Sequence, residues 1–178
     1  MRKVVLQMGA SIDGYVAGGP EWEGTGDRSD VEAWMLERLG RAGLHVMGRV
    51  TYEEMSGYWP TAQHPYAAVM NEVPKAVFSR TLTAADWPVS EIIDAPLVEG
   101  FERLRQDGRG EIVVYGGASF AQAVTRADVV DEYRIFTNPV ALGSGERMFA
   151  DLSQALRLSL VECVAFGDGT VVTVYRRA

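Results

Sequence analysis

Apolar positions along the chain follow a short rhythm and a longer one. Mainly apolar runs at Lys3 to Ala10, Leu44 to Met47, Ala76 to Ser79 and Ile112 to Tyr115 are short and bounded. Such runs mark strands buried on both faces of a parallel sheet. Between them the spacing becomes helical. Ser29 or Asp30 can cap a helix with Val31, Trp34, Met35 and Leu39 on one side. Asp94 with Pro96 opens a second, with Leu97, Phe101 and Leu104 inward and Gly108 and Gly110 as stops. Gly117 to Arg126 forms a third, packing through Phe120, Ala123 and Val124.

After Asp131 the alternation changes. Glu132 to Val140, Arg157 to Phe166 and Thr170 to Arg176 read as strands, the last two joined by the hairpin turn Gly167-Asp168-Gly169. Parallel βα units followed by an antiparallel C-terminal edge make an α/β sheet with helices on both faces.

Two strand-to-helix junctions carry candidate chemistry. Val46 to Glu53 (VMGRVTYE) and Val113 to Ser119 (VVYGGAS) each stop a strand at glycine and open a helix, where amides and the helix dipole favour phosphate. In the first, Gly48 lets backbone approach closely, Arg49 offers a planar fork of donors and Thr51 adds a hydroxyl; the competing reading is a tight turn with a solvated arginine. A third strand ends in Val77-Phe78-Ser79-Arg80, where a hydroxyl and a guanidinium suit the extra phosphate of NADPH, or merely make a turn. Neither G-x-G-x-x-G nor G-x-x-x-x-G-K-[ST] occurs.

Composition narrows the field. The 178 residues are 47% hydrophobic and no linker divides them, which predicts one domain. A net charge of -7 argues against nonspecific nucleic-acid binding. His45 and His64 lack cysteine neighbours at zinc spacing, so no metal is expected. Lone Cys163 in LSLVECVAF reads as a buried small hydrophobe. The opening MRKVVLQM is too short to span a membrane and has no signal-peptide pattern, so a soluble cytoplasmic protein is expected.

Motifs in a fixed order resemble the dihydrofolate-reductase-like superfamily, and within it the reductase domain of bacterial riboflavin biosynthesis, the C-terminal part of bifunctional deaminase-reductases. They are Ser11-Ile12-Asp13-Gly14-Tyr15-Val16-Ala17, Met47 to Glu53, Phe78-Ser79-Arg80-Thr81-Leu82, Tyr115-Gly116-Gly117-Ala118-Ser119, and Asp131-Glu132-Tyr133 leading to Pro139 to Gly145. The resemblance implies an α/β three-layer sandwich, mostly parallel with antiparallel C-terminal strands, commonly a homodimer. It implies NADPH as cofactor, with Gly48, Arg49 and Thr51 on the pyrophosphate and adenosine side. Ser79 and Arg80 would take the 2′-phosphate, and Gly116, Gly117, Ala118 and Ser119 would wrap the pyrophosphate. Ala10 to Gly14 would lie near the nicotinamide, and the stretch containing Gly143 and Gly145 near a small-molecule substrate.

Hydride transfer asks the protein for orientation and one proton donor at most. Asp30 and Asp13 are the candidates, against a helix cap and a turn. The family-implied substrate is 5-amino-6-(5-phosphoribosylamino)uracil; dihydrofolate, or a nucleotide-binding module without catalysis, are the alternatives. The deaminase motifs H-x-E and P-C-x-x-C are absent, and apart from Arg147 and the arginines given to the cofactor there is no obvious basic cluster for a ribitol phosphate. The loop Gly18 to Asp27, with Trp22, reads as a mobile cover or a plain connection, and Tyr58 with Trp59 as a stacking pair or packing.

Overall fold

The computed structural model describes residues 1–17 and 27–178. In chain order its elements are β1 (Val4–Ser11), β2 (Tyr15–Ala17), α1 (Ser29–Leu39), β3 (Ala42–Gly48), α2 (Arg49–Tyr58), α3 (Ala67–Glu72), β4 (Lys75–Phe78) and β5 (Ser90–Ile93). Then follow α4 (Leu97–Gln106), β6 (Glu111–Val114), α5 (Ala118–Arg126), β7 (Glu132–Asn138), β8 (Glu146–Arg147), β9 (Leu158–Ala165) and β10 (Val171–Arg177).

One sheet has the order β5-β4-β3-β6-β1-β7-β10-β9. From β5 to β7 every pairing is parallel, and β10 and β9 run antiparallel. Side chains of successive strand residues point to opposite faces, so a run apolar in both phases must be covered twice. On one face Val4, Leu6, Val46 and Ile112 pack with Phe101 and Leu104 of α4 and Ala121 and Val124 of α5. On the other, Met47, Val77 and Val113 pack with Leu39 of α1, Tyr52 of α2 and Met70 of α3. The three layers follow from that double burial.

The hairpin forms as its residues predict: Gly169 has φ +86° and Thr170 N–H donates to Asp168 Oδ1 at 2.9 Å. Short elements were not anticipated. Strand β5 is four residues with a polar start, α3 is six, and the ribbon of β2 with β8 pairs only Tyr15–Ala17 with Glu146–Arg147. Cys163 is a correction. It is exposed, because β9 is the last strand of the sheet and Leu160 and Val161 beside it are also in solvent. An apolar run alone does not say whether its strand is central or terminal.

The parallel strands present their carboxyl ends along one rim, where open α/β sheets bind ligands. Their amino ends are locked by charge: Lys3, Arg134 and Arg176 all reach Glu132, at 2.8, 2.8 and 3.0 Å. Among the described residues no helix is long and apolar enough to cross a membrane.

Candidate functional site

Two helix mouths open side by side on the rim, because β3 and β6 are adjacent. Gly48, in extended backbone, precedes α2, and Gly117 precedes α5; neither helix has a side-chain cap. Their first amides therefore have no intrahelical partner. Thr51 Oγ1 accepts the Gly117 N–H at 3.0 Å, tying the mouths together across the chain. Phe120 fills the space beneath: a Cβ at Gly48 would stand 3.2 Å from its ring, and one at Gly116 3.4 Å from its Cβ. Above Gly117 nothing lies within 4 Å. Ala118 is buried and Ser119 exposed at the start of α5. Small residues, uncapped amides and open space fit a pyrophosphate.

Arg49 is exposed and engaged one helical turn away, its Nη1 2.9 and 2.8 Å from the Glu53 carboxylate oxygens. Ser79 and Arg80 follow β4. The Ser79 hydroxyl accepts the N–H of Thr81 at 3.2 Å and of Leu82 at 2.9 Å, which turns the chain and leaves Arg80 exposed. Both line a cleft of about 560 Å³ whose walls include Phe78, Asp94, Pro96 and Phe120.

A second opening, of about 620 Å³, lies on the other side of the sheet. Gln7, Met8 and Gly9 of β1 and Tyr115 after β6 line it beside Phe136 and Asn138 of β7. Helix α1 contributes Val31, Glu32 and Met35; Tyr58, Trp59, His64 and Tyr66 make an aromatic wall. Tyr58 and Trp59 meet edge to face at 4.9 Å, so this pair both packs and borders the cavity.

The two aspartates fall in different settings. Asp30 is exposed in the first turn of α1 and off the cavity wall. Asp13 is held in place. The Ser11 hydroxyl donates to it at 2.6 Å, Gly143 N–H at 2.8 Å and Leu142 N–H at 3.1 Å. These bonds, the Ser11 hydroxyl first, hold its carboxyl down at about 2. Asp13 thus pins the Gly143–Gly145 turn, where both glycines have positive φ, to the end of β1 that contains buried Ala10.

Glu32 was not foreseen, because a helical stripe is counted from apolar positions and Glu32 sits beside Val31. Its Oε1 is 3.8 Å from His64 Nε2. Tyr66 N–H donates to His64 Nδ1 at 3.3 Å, so the imidazole proton of the neutral ring sits on Nε2, toward Glu32. Gln7 did carry a signal: it is the one polar residue inside the run VVLQM. The loop expected to cover this region falls, from Gly18 to Gly26, outside the described residues. Among the described residues no group of His, Cys, Asp and Glu could hold a metal ion.

Residues 2–172 match the RibD C-terminal domain family. The chain belongs to that family. The uncharacterized protein YyaP of Bacillus subtilis is 27% identical over 98% of this chain and 94% of its own length. Among solved structures similar to this RibD-type domain is a provisionally named riboflavin biosynthesis protein of Shewanella sp. PV-4, with TM-score 0.75, 23% identity and 99% coverage of both chains. Dihydrofolate reductase from Enterococcus faecalis, complexed with NADP(H), shares the fold at TM-score 0.64 and 14% identity, over 98% of this chain and 96% of that one. These solved structures share this chain's fold, that of dihydrofolate reductase.

Proposed function

We propose that this chain is an NADPH-dependent reductase of a small heterocyclic substrate. The observation that carries the reading is the pair of adjacent, uncapped helix mouths at Gly48 and Gly117, beside an aromatic cavity with a carboxylate on its wall. Gly48, Gly116, Gly117, Ala118 and Ser119 would hold the pyrophosphate with Arg49 and Thr51, and Ser79 and Arg80 the 2′-phosphate. Bound NADPH supplies the hydride. The chain's own residues do the rest: Met8, Met35 and Phe136 exclude water, the aromatic wall orients a flat ring, and Glu32 is the proton source facing it. Asp13, with the Gly143–Gly145 turn, shapes the end of β1, and Asp30 caps no ligand in this scheme.

Family membership makes 5-amino-6-(5-phosphoribosylamino)uracil the first compound to test and dihydrofolate the second. Titration of the full chain with NADPH and NADH, followed by NADPH oxidation assays on both compounds, tests the reading. Preferential NADPH binding with turnover of either supports it. Equal affinity for NADH contradicts the assignment of Ser79 and Arg80, and tight NADPH binding without turnover favours a binding module. Assembly as a cytoplasmic homodimer belongs to the same proposal, and sedimentation at twice the 19.5 kDa chain mass is the expected result.

A further inference from the structure

Tyr66 holds two residues of the aromatic cavity at once. Its phenol donates to the Glu32 backbone carbonyl at 3.2 Å, and its N–H donates to His64 Nδ1 at 3.3 Å. Burial, and the Glu32 charge after it, raise the Tyr66 pKa, so the phenol keeps the proton that makes the first of these bonds. The His64 ring is set further by its neighbours. It lies 4.5 Å from the Tyr66 ring and 5.9 Å, edge to face, from Trp59, whose carbonyl accepts from Asn71 Nδ2. Helix α1 and the segment ahead of α3 are thereby tied together with Glu32 Oε1 3.8 Å from His64 Nε2.

Two features decide what that pair can do. Because His64 Nδ1 already accepts an amide proton, the ring turns Nε2–H, a donor, toward the carboxyl. Arg28 is the one arginine or lysine lining the cavity, and it reaches Asp168 of the β9–β10 hairpin at 3.6 Å. Tyr58, Tyr66 and Tyr115 are the remaining titratable side chains on this wall. The His64 and Glu32 side chains are 30% and 37% exposed, so both are reachable from the cavity. A swing of about 1 Å in the Glu32 side chain closes a hydrogen bond between them.

We infer that His64 is a positioning residue, whose Nε2–H holds the Glu32 carboxyl at the cavity wall and stabilises the carboxylate left when that group gives up its proton. This rests on the reductase reading above and adds what makes Glu32 a competent proton source. The Glu32 O–H bond breaks, its proton completes the reduction that hydride from NADPH begins, and water returns a proton to the carboxylate. A neutral imidazole suits this cycle better than an arginine, whose fixed charge would keep the carboxylate ionised throughout.

Long-range proton–nitrogen NMR on the isotope-labelled full chain tests the pairing without any substrate, since the chain has only two histidines and His45 is fully buried. His64 should show the Nε2–H tautomer, and its Nε2 resonance should move in Glu32→Leu while those of His45 stay. Turnover of 5-amino-6-(5-phosphoribosylamino)uracil and dihydrofolate tests the role. In His64→Phe, which keeps an aromatic ring in place, kcat on the acid plateau should fall at least about fivefold with KM and NADPH affinity within about twofold. The basic limb of its pH–rate profile should move to higher pH, because the donor that stabilised the carboxylate is gone. His64→Gln, whose amide can donate, should restore part of the loss. A merely structural role would lower the unfolding midpoint of His64→Phe and leave the profile in place. An Nδ1–H tautomer, a His64 resonance indifferent to Glu32→Leu, or an unmoved profile in His64→Phe would overturn the inference. Coupled resonances in a chain that turns over neither compound would support the pairing and overturn the reductase reading.

Discussion

Arg49 and Glu53 form an exposed pair one helical turn apart, worth at most about 1 kcal/mol to the fold. A phosphate at Gly48 would compete with that carboxylate for the guanidinium. Glu53→Gln should therefore tighten NADPH binding severalfold, whereas Arg49→Ala should weaken it by about 1–3 kcal/mol, the range of a charge-assisted contact. Fluorescence titration reads both, and an unchanged dissociation constant in Arg49→Ala removes this residue from the site. The strand-to-helix junction at Gly48 was legible because a glycine between a strand and a helix narrows what its neighbours can do. The partner of Thr51, the Gly117 amide 66 residues away, was not, since sequence spacing carries no record of which strands become neighbours. Glu32 escaped for a different reason: polar residues flanking an apolar stripe look alike until the surface they face is known.

Strands β3 and β4 place His45 beside Lys75 in register, both fully buried. Burial first, and the Lys75 charge after it, hold the imidazole down at about 4; burial alone lowers the lysine to about 8. Both groups bind protons more readily in the unfolded chain, so stability rises with pH between each pair of values. For His45 the contribution is complete above about 6.5 and is lost as pH falls toward 4; for Lys75 it is complete above about 10.5 and is lost as pH falls through about 8. Urea midpoints should climb through both windows. His45→Asn should flatten the lower one and Lys75→Met the upper; parallel curves for wild type and variants would contradict the burial of these charges. The central strands were readable because double burial makes them apolar in both phases. Strand β5, with its exposed edge, and the three-residue β2 lack enough positions to show a period. Cys163 shows the converse, an apolar run that ends up in solvent because β9 has a neighbour on only one side.

At the scale of the whole molecule, the candidate site and the charged anchorage occupy opposite ends of the sheet. Glu132 is almost fully buried at the amino ends of the strands. Burial pushes its carboxyl up, but hydrogen bonds from Lys3 and Arg176 and the charge of Arg134 outweigh that and hold it at about 2. Glu132→Gln removes the carboxylate that Lys3, buried Arg134 and Arg176 share and should cost about 3 kcal/mol in denaturant unfolding. NADPH affinity of the folded variant should not change, because the rim is formed by the other ends of the same strands. Loss of binding in that variant, at temperatures where it remains folded, would mean that the two ends are coupled.

A crystal structure with NADPH at saturating concentration tests the central claim directly. The pyrophosphate should lie against the first amides of α2 and α5, with the 2′-phosphate at Ser79 and Arg80 and the nicotinamide at the mouth of the aromatic cavity. Density for the coenzyme at any other surface, or none at the paired glycine mouths, would contradict it.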